Sequence, residues 1–461
     1  MGGKFIIVGG ASLEGEVSVS GAKNSALPIM AAALLSRGRT VLYGIPRLRD
    51  VMVMKKVLEC LGAEVKYQGH CMEINASKLS SHEIPPDLTR KLRASNLIMG
   101  ALLARVGKVT AAYPGGCDIG SRPMDLHLKG FQLLGAAVEE RGGFIHAEFK
   151  KSPVGTEIYL DYPSVGATEN IILSAVFARG KTIIKNAARE PEIVDLQNFL
   201  NKLGAVVKGA GTGTIVIEGV DELMEGEHEI IPDRIEAATF MAAGAITRGR
   251  VKINNIIPEH LEAVIIKLKE TGVSVNVGCS SVEVHCEGPV NAVNIKTLPY
   301  PGFPTDMQPQ MMALLSLGEG TSIISETIFE NRFKHALELS RMGADITVEG
   351  RIAVVKGVQK LSGTFVEATD LRAGAALILA GLAAEGVSVV ENIRHIDRGY
   401  ENIDLKLRTL GQKLLDLINK MQRLCCFFWV YGGHAFWRCK VCSLWALSIK
   451  RILDTAKAAI P

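Results

Sequence analysis

The pattern of hydrophobic and polar positions repeats along this chain. A helical pattern that ends at a Leu-Gly-Ala-like turn, followed by short stretches of alternating strand-like residues, recurs six times at intervals of about 70 residues. Glycine is favoured in such a turn because it adopts the left-handed conformation that ends a helix. The six turn glycines are Gly62, Gly135, Gly204, Gly272, Gly343 and Gly411. The pattern therefore predicts six copies of one α/β unit.

Each copy also contains a second helical segment that is apolar on nearly every face, as in residues 26–35. A helix without a polar face must be buried on all sides. Three copies packed around such helices make one domain, so six copies predict an α/β protein of two similar domains. We expect the first domain at residues 22–230 and the second at residues 1–21 and 231–418. The boundary between the third and fourth copies falls in the polar stretch 227–233, which we expect to be a turn.

Composition and charge exclude several classes of protein. A chain of 461 residues is long enough for two domains, and a net charge of +4 without a Lys/Arg block argues against a nucleic-acid partner. No stretch reaches the roughly 18 apolar residues of a membrane helix, and the first residues lack a signal-peptide pattern, so we expect no membrane partner. Up to residue 418 the cysteines have no disulfide-framework or metal-ligand spacing. These features favour a cytoplasmic protein that holds no metal.

Charged residues recur at the entries to the apolar helices, 14 or 15 positions before a glycine that opens a strand. The N-terminus of a helix suits phosphates and carboxylates, because it offers unpaired N–H groups and a partial positive charge. Ordinary caps would explain single cases, and Asp233 and Asp370 are candidates for that role. The repeated placement instead favours an anion-binding cleft between two domains. The residues in register are Lys23, Arg93, Gly166, Arg234, Asp306 and Arg372.

The second copy carries an insertion around Cys117. Its loop, residues 114–123, contains three glycines and two prolines, which suit an irregular and exposed backbone. Arg122 lies five residues after the cysteine, and a cation near sulfur favours the thiolate. The alternative is a small buried cysteine in a tight turn. Function is often added by an insertion into a repeated scaffold, so we interpret Cys117 as a thiol presented for chemistry.

Four segments carry a specific signature: GAKNSALP at 21–28, PGGCDIGSRP at 114–123, NAAREPE at 186–192 and YPGFPTD at 300–306. In this order they resemble the enolpyruvyl transferase family, and in particular its members that act on UDP-N-acetylglucosamine. The resemblance covers residues 1–418. It implies a two-domain inside-out α/β barrel with three repeats in each domain, in which the chain crosses between the domains twice. We expect no cofactor, small-molecule substrates, and a monomer or weak homo-oligomer.

The resemblance implies transfer of the enolpyruvyl group of phosphoenolpyruvate to the 3′-hydroxyl of UDP-N-acetylglucosamine. Phosphate would be released through a tetrahedral intermediate, in the first committed step of peptidoglycan synthesis. Cys117 would be the general acid that protonates the methylene carbon of phosphoenolpyruvate, and Asp306 would accept or position the proton of the sugar hydroxyl. Lys23 and Arg398 would complete the catalytic group as fixed cations.

The same resemblance implies two sets of binding residues. Those for phosphoenolpyruvate are Lys23, Asn24, Arg122, Arg372 and Arg398. Those for UDP-N-acetylglucosamine are Asn24, Arg93, Arg122, Pro123, Met124, Asp125, Leu126, Tyr162, Ser164, Val165, Gly166, Asp306 and Ile328. Tyr162 departs from the family pattern, since some members have lysine at this position.

Two alternative functions stay open at this point. Enolpyruvylshikimate-phosphate synthase shares the sixfold architecture, but it lacks the loop of Cys117 and carries serine after the first lysine, where this chain has Asn24. A non-catalytic protein that binds UDP-sugars could retain the same cleft. The presence of every proposed reacting residue argues against it.

Residues 419–461 differ in composition from the rest of the chain. They contain all three tryptophans and four of the nine cysteines. We therefore expect a foreign or disordered tail that takes no part in the fold; the alternative is a genuine appended segment. Its cysteines, with His434, have a spacing too irregular for an ordinary zinc site.

Overall fold

The computed structural model describes residues 3–92, 96–113 and 124–416, and the tail at 419–461 lies outside them. Within these ranges no helix is long and apolar enough to cross a membrane. The α-helices described are Lys23–Ala32 (α1), Arg49–Cys60 (α2), Pro86–Lys91 (α3), Leu97–Val106 (α4), Asp125–Leu133 (α5), Val165–Ala175 (α6), Pro191–Lys202 (α7), Arg234–Ile246 (α8), Glu262–Glu270 (α9), Gln308–Leu315 (α10), Lys334–Arg341 (α11), Leu371–Ala383 (α12) and Ile403–Thr409 (α13).

The strands are short, and most have five residues. They are Lys4–Val8 (β1), Glu14–Ser18 (β2), Arg39–Tyr43 (β3), Glu64–Gln68 (β4), Cys71–Asn75 (β5), Glu83–Ile84 (β6), Lys108–Ala112 (β7), Ala137–Arg141 (β8), Phe144–Glu148 (β9), Glu157–Tyr159 (β10), Lys181–Lys185 (β11), Val206–Lys208 (β12), Thr214–Glu218 (β13), Gly226–Glu229 (β14), Arg250–Asn254 (β15), Ser274–Val277 (β16), Ser281–His285 (β17), Ile295–Lys296 (β18), Thr321–Ser325 (β19), Asp345–Glu349 (β20), Ile352–Lys356 (β21), Phe365–Glu367 (β22), Val387–Glu391 (β23) and Leu414–Asp416 (β24).

The strands form six four-stranded sheets of one design, which confirms the predicted sixfold repeat. In each sheet an edge strand runs parallel to the second strand, and the remaining pairs are antiparallel. The sheet orders are β14-β3-β5-β4, β6-β7-β9-β8, β10-β11-β13-β12, β16-β17-β15-β2, β18-β19-β21-β20 and β22-β23-β1-β24.

Three sheets take one strand from a distant part of the chain. The N-terminal β1 lies between β23 and β24 in the sixth sheet, and β2 is parallel to β15 in the fourth. The first sheet receives β14, which is parallel to β3. The expectation of a turn at residues 227–233 is therefore wrong for its first part. His228 is buried in this strand between exposed glutamates, so the edge strand lacks the apolar run that would have revealed it.

The chain crosses between the two halves of the molecule at two adjacent segments. The amide of Ala22 donates to the carbonyl of Ile231 at 2.7 Å, and the amide of Asp233 donates to the carbonyl of Ser20 at 2.9 Å. Helix α1 begins directly after the first crossing, and helix α8 begins directly after the second. The paired crossings therefore fix the starts of these two helices close to each other.

The described side chains pack into two hydrophobic clusters. One contains apolar residues between positions 26 and 230, including those of α1, α4 and α6. The other contains residues between positions 5 and 19 and between 235 and 414, including those of α8, α10 and α12. This separation supports the domain bounds given above, which stay a prediction. All six turn glycines have φ between 88° and 102°, the left-handed conformation that the helix ends require.

Because β1 closes the sixth sheet, its buried face should contribute strongly to stability. Ile7 is fully buried in this strand, whereas its neighbour Val8 is 41% exposed. We expect Ile7→Ala to lower the free energy of unfolding by about 2–5 kcal/mol through lost burial and a residual cavity. Val8→Ala, the matched control, should change it by less than about 0.5 kcal/mol. Urea unfolding measures both, and equal effects would show that β1 is not part of the core.

Candidate active site

The polar residues at the starts of the apolar helices fall into two groups: some cap the helix, and others form the candidate site. The carboxylate of Asp233 accepts hydrogen bonds from the amides of Ile235 at 2.8 Å and Glu236 at 3.0 Å. Asp370 caps α12 in the same way, through the amides of Arg372 and Ala373. Both aspartates are therefore caps, as the simpler interpretation held.

Asp50 joins cations from opposite ends of the chain. Its carboxylate accepts two hydrogen bonds from Arg398, with Nε at 2.9 Å and Nη2 at 3.3 Å. On the other side the Nζ atom of Lys23 lies 3.7 Å from Oδ2 of Asp50. The Asp50 side chain is 4% exposed and that of Lys23 is 12% exposed. Lys23 follows the first crossing, so this ion-pair group lies at the junction of the two domains.

Asp306 forms a second group with two arginines. Its carboxylate accepts from Nη2 of Arg332 at 2.7 Å and from Nη2 of Arg372 at 3.0 Å. Both arginines are 3% exposed. Within the described residues, Nη1 of Arg372 and Nε of Arg332 are buried without a hydrogen-bond partner. Such donors are costly to bury unless a ligand accepts from them.

The two groups lie close enough to interact electrostatically. Burial lowers the pKa of Lys23; Asp50 opposes this shift, and the charges of Arg372 and Arg398 add to it. The carboxylate of Asp306 also acts on Lys23. Together the groups contain four cations and two carboxylates, an excess of positive charge that suits an anionic ligand. The members are Lys23, Asp50, Asp306, Arg332, Arg372 and Arg398.

The protonation of Asp306 follows from its neighbours. Burial raises the pKa of this carboxyl, but the guanidinium groups of Arg372 and Arg332 outweigh that effect and hold the pKa well below its usual range. Asp306 is therefore a carboxylate at neutral pH. A carboxylate held this way is a weak proton acceptor, so the arrangement favours a role in orienting a hydroxyl.

The entry to α6 offers uncharged polar groups. The hydroxyl of Ser164 caps this helix by accepting from the amide of Ala167 at 3.4 Å. A Cβ atom at Gly166 would lie 3.2 Å from Cε1 of His127, so glycine fits this tight contact best. His127 in turn lies 2.8 Å from Nδ2 of Asn170, measured from its Nδ1 atom. These contacts fix the first turn of α6, in which Ser164, Val165 and Gly166 are half-buried.

The other residues predicted to contact UDP-N-acetylglucosamine differ in their exposure to solvent. Asn24 and Asp125 are exposed in the first turns of α1 and α5. Tyr162 is 44% exposed, whereas Met124 is buried, with its sulfur 3.1 Å from Nδ2 of Asn96. The side chain of Met124 therefore belongs to the core. Leu126, Val165 and Ile328 are half-buried.

Arg234, one of the charged helix entries, forms an ion pair of its own. Its Nε and Nη2 atoms donate to Glu192 at 3.0 and 3.4 Å, and its guanidinium lies 5.5 Å from the ring centre of Tyr300. The side chain thus connects α8 to the start of α7 and to the 300–306 turn.

Three residues of this region escaped the sequence analysis. Asp50 resembles an ordinary acidic residue in the first turn of a helix, and Arg332 lies outside the repeated helix entries. Glu326 follows β19 and is 1% exposed. No local pattern marks them, because each also binds a residue more than 20 positions away: Asp50 binds Arg398, Arg332 binds Asp306, and Glu326 binds Thr297 and Thr305. Arg93, Cys117, Arg122 and Pro123 lie outside the described residues, and their roles stay predictions.

Six sheets of one design, two domains and a group of cations around Asp50 and Asp306 define the class of enolpyruvyl transferases. A sequence model of the family described as EPSP synthase (3-phosphoshikimate 1-carboxyvinyltransferase) matches residues 7–407. The chain belongs to this family.

Curated relatives refine the comparison. The chain is 58% identical over 411 residues to UDP-N-acetylglucosamine 1-carboxyvinyltransferase 1 of Carboxydothermus hydrogenoformans, covering 89% of this chain and 97% of the relative. It is 56% identical over 413 residues to the protein of that name from Symbiobacterium thermophilum, covering 88% and 94%.

Solved structures agree in fold. The enolpyruvyl transferase NikO from Streptomyces tendae superposes with a TM-score of 0.81 at 27% identity, covering 90% of this chain and 99% of that one. EPSP synthase from Acinetobacter baumannii gives a TM-score of 0.70 at 18% identity, with the same coverage. The predicted inside-out α/β barrel is therefore confirmed.

The charge state of Asp306 gives a pH-dependent prediction. Its native pKa lies below the unfolded value, so its stabilising effect is present above about pH 4 and is lost as the pH falls further. Asp306→Asn should therefore lower the free energy of unfolding by about 1–3 kcal/mol at pH 7, and the difference from the unmodified protein should shrink towards pH 3.

Urea unfolding at several pH values measures this difference. The exposed Asp345 provides the matched control, since Asp345→Asn should have little effect at either pH. A deficit in Asp306→Asn that stayed constant from pH 7 to pH 3 would contradict the assigned ion pairs.

Proposed function

We propose that this chain transfers the enolpyruvyl group of phosphoenolpyruvate to the 3′-hydroxyl of UDP-N-acetylglucosamine and releases phosphate. The observation that carries this proposal is the group of cations around Asp50 and Asp306, of which Arg332 and Arg372 are buried and Arg398 is 37% exposed. It suits a substrate that bears both a phosphate and a carboxylate. Relatives at 53–58% identity bear the name of this reaction, which supports the choice of acceptor.

In the addition step, the 3′-oxygen of the sugar forms a bond to C2 of phosphoenolpyruvate. The C2–C3 π electrons take a proton from the Cys117 thiol, and C3 becomes a methyl group. Asp306 orients the attacking hydroxyl and receives its proton as the C–O bond forms, when positive charge develops on that oxygen. The product of this step is a tetrahedral phospho-ketal.

In the elimination step, the bond between C2 and the phosphate oxygen breaks. The Cys117 thiolate formed in the addition takes a proton from the methyl group, the electron pair of that C–H bond restores the C2–C3 double bond, and phosphate departs with the proton that Asp306 received. Lys23, Arg122, Arg372 and Arg398 hold the phosphate and carboxylate throughout, and they stabilise the negative charge that develops on the departing phosphate. Asn24 contributes a neutral hydrogen-bonding group beside Lys23.

The UDP-sugar lies along the first domain and reaches the cleft. Ser164, Val165 and Gly166 offer the N-terminus of α6 to the diphosphate. Tyr162 precedes this helix, and we assign Arg93 and residues 122–126 to the UDP-sugar as well. Because the side chain of Met124 is buried, its contact runs through the backbone. Ile328 and Asp306 approach the sugar from the second domain.

The cellular setting follows from the same reaction. We place the enzyme in the cytoplasm, where it supplies peptidoglycan synthesis and thereby cell shape and division. It acts without a cofactor, as a monomer or weak homo-oligomer. Its domains are residues 22–230, and residues 1–21 with 231–418, and the acceptor binds between them.

The alternative acceptor, shikimate 3-phosphate, is less well supported. The solved EPSP synthase is only 18% identical, whereas the relatives with the UDP-sugar name exceed half identity. A non-catalytic UDP-sugar-binding protein would not need the paired arginines on Asp306. Phosphate release from phosphoenolpyruvate with each acceptor separates the three possibilities.

The role of Cys117 is tested by removing its acid. General acid catalysis contributes about 10² to 10⁴ in rate, so Cys117→Ala should lower phosphate release by at least that order. Cys117→Asp keeps an ionisable acid at similar reach, and it should retain measurable turnover with a shifted pH optimum. Steady-state phosphate release with UDP-N-acetylglucosamine as the acceptor is the measurement.

The exposed Cys279 offers a matched control, because Cys279→Ala should leave turnover unchanged. Fosfomycin, an epoxide that alkylates the family's loop cysteine, should label Cys117 and spare Cys60, Cys71, Cys279 and Cys286, as read by mass spectrometry. Near-normal turnover in Cys117→Ala would reduce the loop to a structural role and would remove this mechanism.

A further inference from the structure

The carboxylate of Glu326 connects two loops that carry proposed site residues. The first loop, residues 297–307, contains Asp306, and the second, residues 326–333, contains Ile328. Glu326 directly follows β19 and is 1% exposed. Its Oε1 atom accepts from Oγ1 of Thr297 at 2.8 Å and from the amides of Ile328 at 2.8 Å and Phe329 at 3.2 Å. Its Oε2 atom accepts from Oγ1 of Thr305 at 2.9 Å. One buried carboxylate therefore receives four hydrogen bonds.

The bond to Thr305 fixes the first loop. Thr305 begins the short 3₁₀ helix Thr305–Met307, so it directly precedes Asp306. The opposite side of this turn is held by the arginine contacts of Asp306. With Glu326 on one side and the guanidinium groups on the other, the position of the Asp306 carboxylate is fixed in two directions.

The amide bonds fix the second loop. Ile328 is a proposed sugar contact, and the ring of Phe329 lies 5.6 Å from the guanidinium of Arg332, measured to its centre. Thr297 adds a further connection, because its hydroxyl accepts from the amide of Thr327 at 2.9 Å. The Glu326 carboxylate thus holds the backbone amides of the sugar contact Ile328 and of Phe329, whose ring lies beside the arginine that holds Asp306.

The charge of the Glu326 carboxylate also acts on Tyr162, a residue of the first domain. Burial raises the pKa of Tyr162, and the negative charges of Glu190 and Glu326 add to that shift. Tyr162 is a proposed contact of the UDP-sugar, so Glu326 lies near the acceptor side of the cleft. Lys23 and Arg398, which we propose bind phosphoenolpyruvate, pair with Asp50, and Arg372 pairs with Asp306. Their ion pairs among the described residues do not involve Glu326.

We propose that Glu326 is a positioning residue for the sugar acceptor. One of its oxygens holds Thr305, and the other holds the amides of Ile328 and Phe329. Glu326 thereby sets the distance between the Asp306 carboxylate and Ile328. This inference rests on the proposed function. It assigns Glu326 to acceptor binding and alignment and gives it no part in binding phosphoenolpyruvate.

Glu326→Gln is the most informative substitution, because glutamine keeps the size of the side chain. Its amide has one acceptor oxygen and one NH₂ donor, so it cannot accept on both sides as the carboxylate does. Glu326→Gln should lower kcat/KM for UDP-N-acetylglucosamine by about 10- to 100-fold, the range expected when hydrogen bonds to a charged group are lost. KM for phosphoenolpyruvate should stay within about twofold.

The chain offers a matched control four residues further along. Glu330 is exposed and pairs with Arg351 at 2.9 Å, so Glu330→Gln makes the same change of charge in the same loop. Its kinetic constants should stay within about twofold of the unmodified protein. Circular dichroism and thermal unfolding of both variants show whether the fold is retained.

A second variant separates alignment from binding. Thr305→Val replaces the hydroxyl with a methyl group and leaves Glu326 its three other donors. It should lower kcat about tenfold, because the turn of Asp306 loses its anchor. Binding of UDP-N-acetylglucosamine, measured by calorimetry, should change less than in Glu326→Gln.

The outcomes distinguish this inference from the proposed function. If the unmodified protein releases no phosphate, the proposed function fails. If it is active and Glu326→Gln changes neither substrate or both equally, the positioning role is overturned. Should Glu326→Gln not fold, Thr305→Val decides: an unchanged kcat overturns the inference, and a lowered kcat with nearly unchanged acceptor binding supports it.

Discussion

The contact of Asp50 with Lys23 and Arg398 is the constraint on which the site depends. It brings the first turn of α1 together with a cation 375 residues further along the chain, which no local preference could do. Two positive charges this close repel each other, and the carboxylate between them offsets that cost. Nearby, the buried carboxylate of Glu401 accepts from the amide of Arg47 at 2.8 Å, which adds a second contact between the same two regions.

The topology explains why these charges meet. Both crossings run side by side, and a helix starts directly after each, at Lys23 and at Arg234. The N-terminal segment then completes two sheets of the second half, so the first and last described strands, β1 and β24, are held in one sheet. Helix starts at a domain junction provide positive potential, and Lys23 and the three arginines increase it. The fold thus concentrates positive charge at the junction, which is the basis of the proposed site for a small dianion.

The sequence predicts features that depend on local structure. The turn glycines mark six helix ends because a left-handed residue is needed at each, and apolar helices such as α12 must be central. Motif resemblance adds Asp306 and Arg398 as site residues. Asp50, Arg332 and Glu326 could not be found in this way, because their roles arise from partners that only the tertiary structure brings near. The strand β14 was missed for a related reason, since its edge position needs only one buried side chain.

Substitution of Arg398 shows whether both domains supply cations to one anion site. In Arg398→Gln we expect KM for phosphoenolpyruvate to rise about tenfold or more while the calorimetric affinity for UDP-N-acetylglucosamine is retained. Arg394, exposed in the same short helix, is the control, and Arg394→Gln should leave both unchanged. An unaltered KM for phosphoenolpyruvate in Arg398→Gln, or an equal loss in the control, would contradict the account.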